Sequence, residues 1–166
     1  SFTVHKKFLV NQEKHVQENF IPLPRTKFET IFANDIKKSA KNFWERNYDN
    51  GKDIFHLGSI VDLVKEHKTN GNIFPKKVDL LTGGFPCQDF SVSGLRKGFD
   101  DPRSQLFFAM DRILKLLKPK YWLLENANMN KDFKKIISEA LDCEPYKINA
   151  ASVSTQNRVR NYWTNI

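Results

Sequence analysis

Leu80-Leu81-Thr82-Gly83-Gly84-Phe85-Pro86-Cys87-Gln88-Asp89-Phe90-Ser91-Val92-Ser93-Gly94 is the stretch that orders the rest of the chain. The largely apolar run Val78 to Leu81 leads into two glycines, a proline and a single cysteine. This predicts a buried strand ending in a tight turn that presents one thiol. Gly83 and Gly84 permit a close backbone approach that a side chain would block. Pro86 stiffens the chain just before Cys87, and Ser91, Ser93 and Gly94 make the following loop small and polar. A thiol at a strand end, above a polar loop, can serve as a nucleophile in a sheet-edge crevice. A lone cysteine near a turn is more often an inert small residue, so the flanking sequence must decide.

Downstream of that loop, Gln105 to Leu117 is amphipathic, with Leu106, Met110, Ile113, Leu114 and Leu117 on one face, and Pro119 stops it. Tyr121 to Leu124 reads as a buried strand that ends at Glu125-Asn126. Asp132 to Leu141 is a further helix, and Pro145 to Ala150 and Tyr162 to Ile166 are the last strand candidates. Upstream, Thr30 to Asp35 is a short strand ending in an acid. A helix over Ile36 to Tyr48 follows, with Asn34 or Asp35 as its N-cap and Ala40, Phe43 and Trp44 on its apolar face. Ile54 to Ile60 reads as a strand and Val61 to His67 as a short helix. Residues 1–29 read as an irregular arm or insertion, and residues 30–166 as one catalytic-type domain. Strands alternating with helices predict an α/β fold, doubly wound around a mostly parallel sheet. Functional groups collect at strand ends in such a sheet, and three ends carry Asp35, Cys87 and Glu125.

Composition narrows the class. The 166 residues are 40% hydrophobic and 13% aromatic, which supports a packed globule. No apolar run has the length of a membrane span and no signal peptide is visible. Cys87 and Cys143 do not make a disulfide framework, which fits a reducing cytoplasm. His5, His15, His56 and His67 are scattered without zinc spacing, so no metal site is expected. The net charge of +8 suits a polyanionic partner, although a lysine-rich solvated surface would carry the same charge.

Four short blocks, in order, resemble the cytosine carbon-5 DNA methyltransferases. They are Gly84-Phe85-Pro86-Cys87-Gln88-Asp89-Phe90-Ser91, Arg103-Ser104-Gln105-Leu106-Phe107-Phe108, Glu125-Asn126, and Gln156-Asn157-Arg158-Val159-Arg160. Each alone is weak, and their order and spacing give the match its strength. The similarity runs from Ala33 to Trp163, and the tail from Lys118 is most similar to bacterial and phage members. It implies a Rossmann-like, S-adenosylmethionine-dependent methyltransferase domain in a cytoplasmic protein of bacterial or phage origin, as in restriction-modification.

The resemblance also implies roles. Cys87 would add as thiolate to carbon 6 of a cytosine flipped out of double-stranded DNA. Glu125 would serve ring nitrogen 3, Arg160 would hold the base carbonyl oxygen, and Arg158 would position it or contact phosphate. S-adenosylmethionine would be the methyl donor and S-adenosylhomocysteine the product. Asp35 would bind its ribose hydroxyls and Ile36 its adenine, with Ser59, Ile60, Pro86 and Leu106 completing that site. Gln88, Ser91, Ser93, Arg96, Lys97, Arg103, Asn126 and Gln156 would meet the DNA.

Four departures qualify this reading. Ser59 stands where the family often has Asp, and Ala127 replaces a usual Val. The first glycine is Gly51, so the glycine-rich cofactor loop expected about 20 residues before Asp35 is absent. No target-recognition region follows Ile166 in this sequence. The expectation is a domain truncated at both ends, completed by a missing segment or a second chain, and inactive alone. A non-catalytic or split-enzyme DNA-binding fragment is the rival reading. A tRNA cytosine methyltransferase is another, disfavoured because the usual Cys-Phe-Thr tripeptide is absent. A cysteine hydrolase lacks its base, since no histidine follows His67.

Overall fold

A computed structural model of the chain describes residues 2–6, 28–48, 50–85, 105–129 and 131–166, with the backbone alone for 2–6. The described elements are β1 (Phe2–Lys6), β2 (Glu29–Asp35), α1 (Lys38–Asn47), α2 (Gly51–Ile54), β3 (Phe55–Leu57), α3 (Ile60–Asn70) and β4 (Leu80–Gly84). They continue as α4 (Gln105–Leu117), β5 (Tyr121–Ala127), α5 (Lys131–Leu141), β6 (Tyr146–Asn149) and β7 (Val159–Thr164). The strands form one sheet in the order β3-β2-β1-β4-β5-β7-β6.

Five strands, β2 to β6, run in one direction, while β1 and β7 oppose them. The α/β class is therefore as the alternation of strands and helices implies, but the pairing is mixed. Only β2/β3 and β4/β5 pair in parallel. Right-handed crossovers place the helices between β2 and β3, α1 and α2, on one face and those after β3, β4 and β5 on the other. Ring and hydrogen-bond contacts agree. Trp44 of α1 lies 6.3 Å from Phe55, whereas Trp163 of β7 donates its indole N–H to Ser138 Oγ of α5 at 3.1 Å.

The core follows strand alternation. In β5, Trp122, Leu124 and Asn126 point to the buried face, and in β7, Asn161 and Trp163 do the same. Phe107, Ala109, Met110 and Ile113 of α4, with Phe133 and Ile137 of α5, close over them. Fully burying side chains such as Leu81, Leu124 and Ile113 contributes about 1.5–3 kcal/mol each. The α3 helix begins at Ser59, whose Oγ accepts from Val61 N, and stops at Gly71 in the left-handed conformation.

Several boundaries differ from the sequence reading. Phe2–Lys6, inside the stretch read as an irregular arm, is a strand in the middle of the sheet. The strand expected at Ile54 to Ile60 contracts to three residues, because a helical turn precedes it and Gly58-Ser59 opens α3 directly after it. β4 starts later than expected and continues through both glycines. β7 starts at Val159, not Tyr162, which takes Arg160 into the sheet. Lys37, not Asn34 or Asp35, is the N-cap of α1, and Asp35 instead accepts from Lys37 N at 2.9 Å. α1 buries none of its residues, and Phe43 on its expected apolar face is exposed.

Candidate functional site

The carboxyl ends of β4 and β5 lie side by side, with Gly84 in register with Glu125. A Cβ on Gly84 would stand 3.1 Å from Glu125 Oε2 and 3.5 Å from its backbone oxygen. The missing side chain is what makes room for the carboxylate. Gly84 is three residues before Cys87 in sequence, so the acid flanks the point from which the cysteine segment departs. Pro86, Cys87, Gln88, Ser91, Ser93, Arg96, Lys97 and Arg103 themselves lie outside the described residues.

Arg160 reaches the same place from β7. It pairs across the sheet with Ala127, while Glu125 pairs with Tyr162, so both side chains stand on the face opposite Trp163. Arg160 Nε approaches Glu125 Oε1 at 2.7 Å, and Nη1 donates to its neighbour's carbonyl, Val159 O, also at 2.7 Å. Both side chains remain partly open to solvent. The ion pair occupies one carboxylate oxygen and leaves the other beside Gly84. A planar guanidinium and a carboxylate so joined offer donors and an acceptor to one flat polar ligand.

The described residues among the other predicted DNA contacts, Asn126, Arg158 and Gln156, do not join this pair. Asn126 is 1% exposed on the opposite face of β5, and among the described residues neither its Oδ1 nor its Nδ2 has a hydrogen-bond partner. Strand alternation sets it on the face opposite Glu125, away from the Glu125–Arg160 pair. Arg158 and Gln156 have exposed side chains in the connection between β6 and β7. That connection is held by Asn149, whose Oδ1 accepts from Ala151 N and Arg158 N and whose Nδ2 donates to Asn157 Oδ1. Asn149 was not anticipated, although an Asn at a strand end is a frequent turn organiser.

The second cluster lies at the carboxyl ends of β2 and β3. Asp35 is half-buried, and Ile36 beside it is 69% exposed, an apolar side chain set against water. Gly58 N donates to Asp35 O at 3.1 Å, which brings the Gly58-Ser59 turn against the end of β2. Gly58 has φ 151°, a conformation that favours glycine. Asn34, which sequence patterning offered only as a cap, donates from Nδ2 to His56 O at 2.7 Å and to Gly58 O at 3.0 Å. Its signal was a polar residue at the end of an otherwise apolar strand. Ile60 is buried in the core, and Leu106 is half-buried in the first turn of α4.

Among the described residues, no group of three His, Cys, Asp or Glu could hold a metal, and no helix is long and apolar enough to cross a membrane. The remaining cysteine, Cys143, is half-buried, and loss of solvation pushes its thiol pKa up. That makes it a poor nucleophile near neutral pH.

The profile of C-5 cytosine-specific DNA methylases matches residues 20–162, most of the chain. The chain belongs to that family. Among relatives of this methylase family member, type II methyltransferase M.Bsp6I of Bacillus sp. (strain RFL6) is 35% identical over 81% of the chain. M.NlaX of Neisseria lactamica is 41% identical over 80% of it. The chain spans less than half of these relatives, 44% and 42% of their lengths. A prophage-encoded E. coli protein, described as a DNA modification methyltransferase, superposes with a TM-score of 0.55 at 23% identity. That superposition covers 80% of the chain and 38% of the E. coli structure, and it supports the fold alone.

Proposed function

We propose that the chain forms the central part of a DNA (cytosine-5-)-methyltransferase, with Cys87 as nucleophile and Glu125 and Arg160 as the base-holding pair. The observation that carries this reading is the joint placement of Gly84, Glu125 and Arg160 at the end of β4, next to the start of the Pro86-Cys87 segment.

Carbon 5 of cytosine is too electron-poor to take up a methyl group unaided. The Cys87 thiolate adds to carbon 6, and the ring electrons move toward nitrogen 3. Glu125 supplies a proton or hydrogen bond to nitrogen 3, so that carbon 5 becomes an enamine nucleophile. Arg160 holds the base carbonyl oxygen with its remaining N–H groups. Once carbon 5 carries the methyl group, its proton passes to solvent and the nitrogen-3 proton returns to the Glu125 carboxylate, so that expulsion of the thiolate restores the aromatic ring and frees Cys87. The base must leave the duplex to reach these groups, and the net charge of +8 favours that polyanion.

S-adenosylmethionine, when bound, supplies an electrophilic methyl group. The residues at the β2 and β3 ends fit the nucleoside part of such a molecule. Asp35 offers a carboxylate for hydroxyls, Ile36 an exposed apolar side chain for a flat ring, and Ser59 a polar edge. Between them, the sheet departs from what this ligand class uses. β1 runs antiparallel to both β2 and β4, so it contributes its starting residue, not a strand-to-helix turn, at that edge. This favours a role as one piece of a larger or split enzyme, completed by further polypeptide.

The test is covalent trapping. The chain would be combined with a polypeptide supplying the rest of a relative's length and mixed with DNA containing 5-fluorocytosine. A denaturant-resistant adduct that depends on S-adenosylmethionine and maps to Cys87 is expected. An adduct on Cys143, or one that survives Cys87→Ser, would overturn the assignment.

A further inference from the structure

We propose that Asn34 is a positioning residue for the cofactor crevice: its side-chain amide ties the β3–α3 turn to the end of β2, so that Ser59 and Asp35 face one another. This rests on the reading of Asp35, Ile36 and Ser59 as the nucleoside-binding edge. β3 is an edge strand of three residues, joined to β2 through only Ala33↔Phe55, Asn34↔His56 and Asp35↔Leu57. The backbone ladder ends where the turn begins. Asn34 continues the attachment past that point, with Nδ2 donating to His56 O at 2.7 Å and Gly58 O at 3.0 Å. One N–H bonds within the strand and the other bonds the turn itself. The amide is 4% exposed, so water does not compete for these bonds.

The attachment is reciprocal, because Gly58 N donates to Asp35 O at 3.1 Å. Gly58 therefore donates to the main chain of β2 and accepts from a side chain of β2. The turn is fixed at a glycine whose φ of 151° few other residues adopt. Ser59 follows directly, and its hydroxyl is committed to capping α3. A displaced turn would thus carry both Ser59 and the α3 N-terminus away from Asp35. Only a side chain with two N–H donors on one atom, at this length, makes both bonds.

Asn34→Asp tests this, because a carboxylate of the same shape cannot donate to two carbonyl oxygens. Asn34→Ser, uncharged and too short to bridge, is the second variant should the buried charge prevent folding. In the full chain, backbone amide exchange and S-adenosylhomocysteine titration would be followed by NMR, up to millimolar ligand. The expected result is loss of Gly58 amide protection, an unchanged Trp163 indole resonance, and S-adenosylhomocysteine affinity weakened about tenfold. In Asn34→Asp, lowering the pH should restore part of the Gly58 protection, since a neutral carboxyl can donate one hydrogen bond. A generally destabilised chain would show no such recovery. Folded variants that keep wild-type Gly58 protection and ligand affinity overturn the proposal. If the unsubstituted chain shows no ligand-induced shifts at Ile36 or Ser59, the cofactor reading fails. Gly58 exchange then decides by itself whether the clamp exists.

Discussion

The two halves of the sheet use the same rule with different completeness. On the β4-β5-β7 side, two parallel strand ends and one antiparallel strand bring Gly84, Glu125 and Arg160 together, and a salt bridge joins the last two. On the β3-β2-β1 side, β2 and β3 end beside one another with Asp35 and the Gly58-Ser59 turn, but the next strand is reversed. A reversed strand places no loop-to-helix transition at that edge, and hence no row of free N–H groups for an anionic or dipolar ligand. The side to which we assign the chemistry thus has its described side chains already in contact, whereas the side proposed for the cofactor is an edge formed from two strands of the three. On the proposed assignment, the family's chemistry and its cofactor affinity rest on separable parts of one sheet.

The sharpest break in that comparison would come from Cys87. If the β4 side carries the nucleophile, Cys87→Ser should abolish the 5-fluorocytosine adduct in the completed enzyme, because a hydroxyl is far less ionised than a thiol near neutral pH. Cys143→Ser should leave it intact, since burial holds that thiol protonated. Denaturing gel shift with peptide mapping reads both.

Glu125→Gln comes next. It preserves shape beside Gly84 and removes the exchangeable proton, so single-turnover methylation should slow by about 10²–10⁴-fold. The adduct, once formed, should still map to Cys87. Thermal unfolding should scarcely move, because a partly exposed ion pair contributes only about 0–1 kcal/mol. A variant that melts many degrees lower while methylating normally would show that the pair is a fold element and not a site.

The cofactor half makes the next, smaller claim. With β1 antiparallel at its centre, the chain alone should bind S-adenosylmethionine more weakly than about 100 μM by calorimetry. Adding the polypeptide that supplies the remaining family segments should tighten binding. Low-micromolar affinity in the isolated chain would erase the contrast between the two halves.

How much of this was legible follows the range of the interactions. The α4 stripe and the strand carrying Glu125 depend on local periodicity, and sequence placed both to within a few residues, whereas the turn expected at Pro86-Cys87 lies outside the described residues. The Glu125–Arg160 contact depends on the antiparallel register of β5 with β7. Nothing near Arg160 announces that register, because Gln156-Asn157-Arg158 reads as a polar loop running into the strand. β1 was missed for a related reason. Phe2-Thr3-Val4-His5-Lys6 is too short and too polar for a periodicity argument, and its direction is set by the two edges it bridges. The Asn34 clamp needed coordinates, since its two acceptors lie 22 and 24 residues away. The burial of Asn126 was not legible locally, because adjacent strand residues face opposite sides of the sheet.

The smallest expected effect sharpens the comparison from the cofactor side, through His56. Its ring stacks on Phe32 at 4.4 Å, and its backbone carbonyl is one of the acceptors of Asn34. Burial lowers the His56 pKa below 6.5, and Glu66 opposes this only in part. The unfolded chain, with an ordinary histidine, therefore binds more protons than the folded chain once the pH falls below about 6.5. The stabilisation from keeping this ring neutral is complete above that pH and is lost as the pH falls toward the lowered folded value. His56→Phe keeps a ring for the stack and removes the titration. The difference in urea midpoint between the two proteins should be flat from pH 7 to 8 and should move in favour of His56→Phe between pH 6.5 and 5. All other groups titrate in both proteins, so the difference isolates this one. Backbone exchange at Gly58 should follow the same pH dependence, because strain at His56 is passed through its carbonyl to the Asn34 amide. Nothing comparable should occur at the indole of Trp163, which is fixed to Ser138 on the other half of the sheet. Parallel pH curves for the two proteins would show that His56 is solvated enough to charge without cost, and that this edge is looser than the contacts of Asn34 imply.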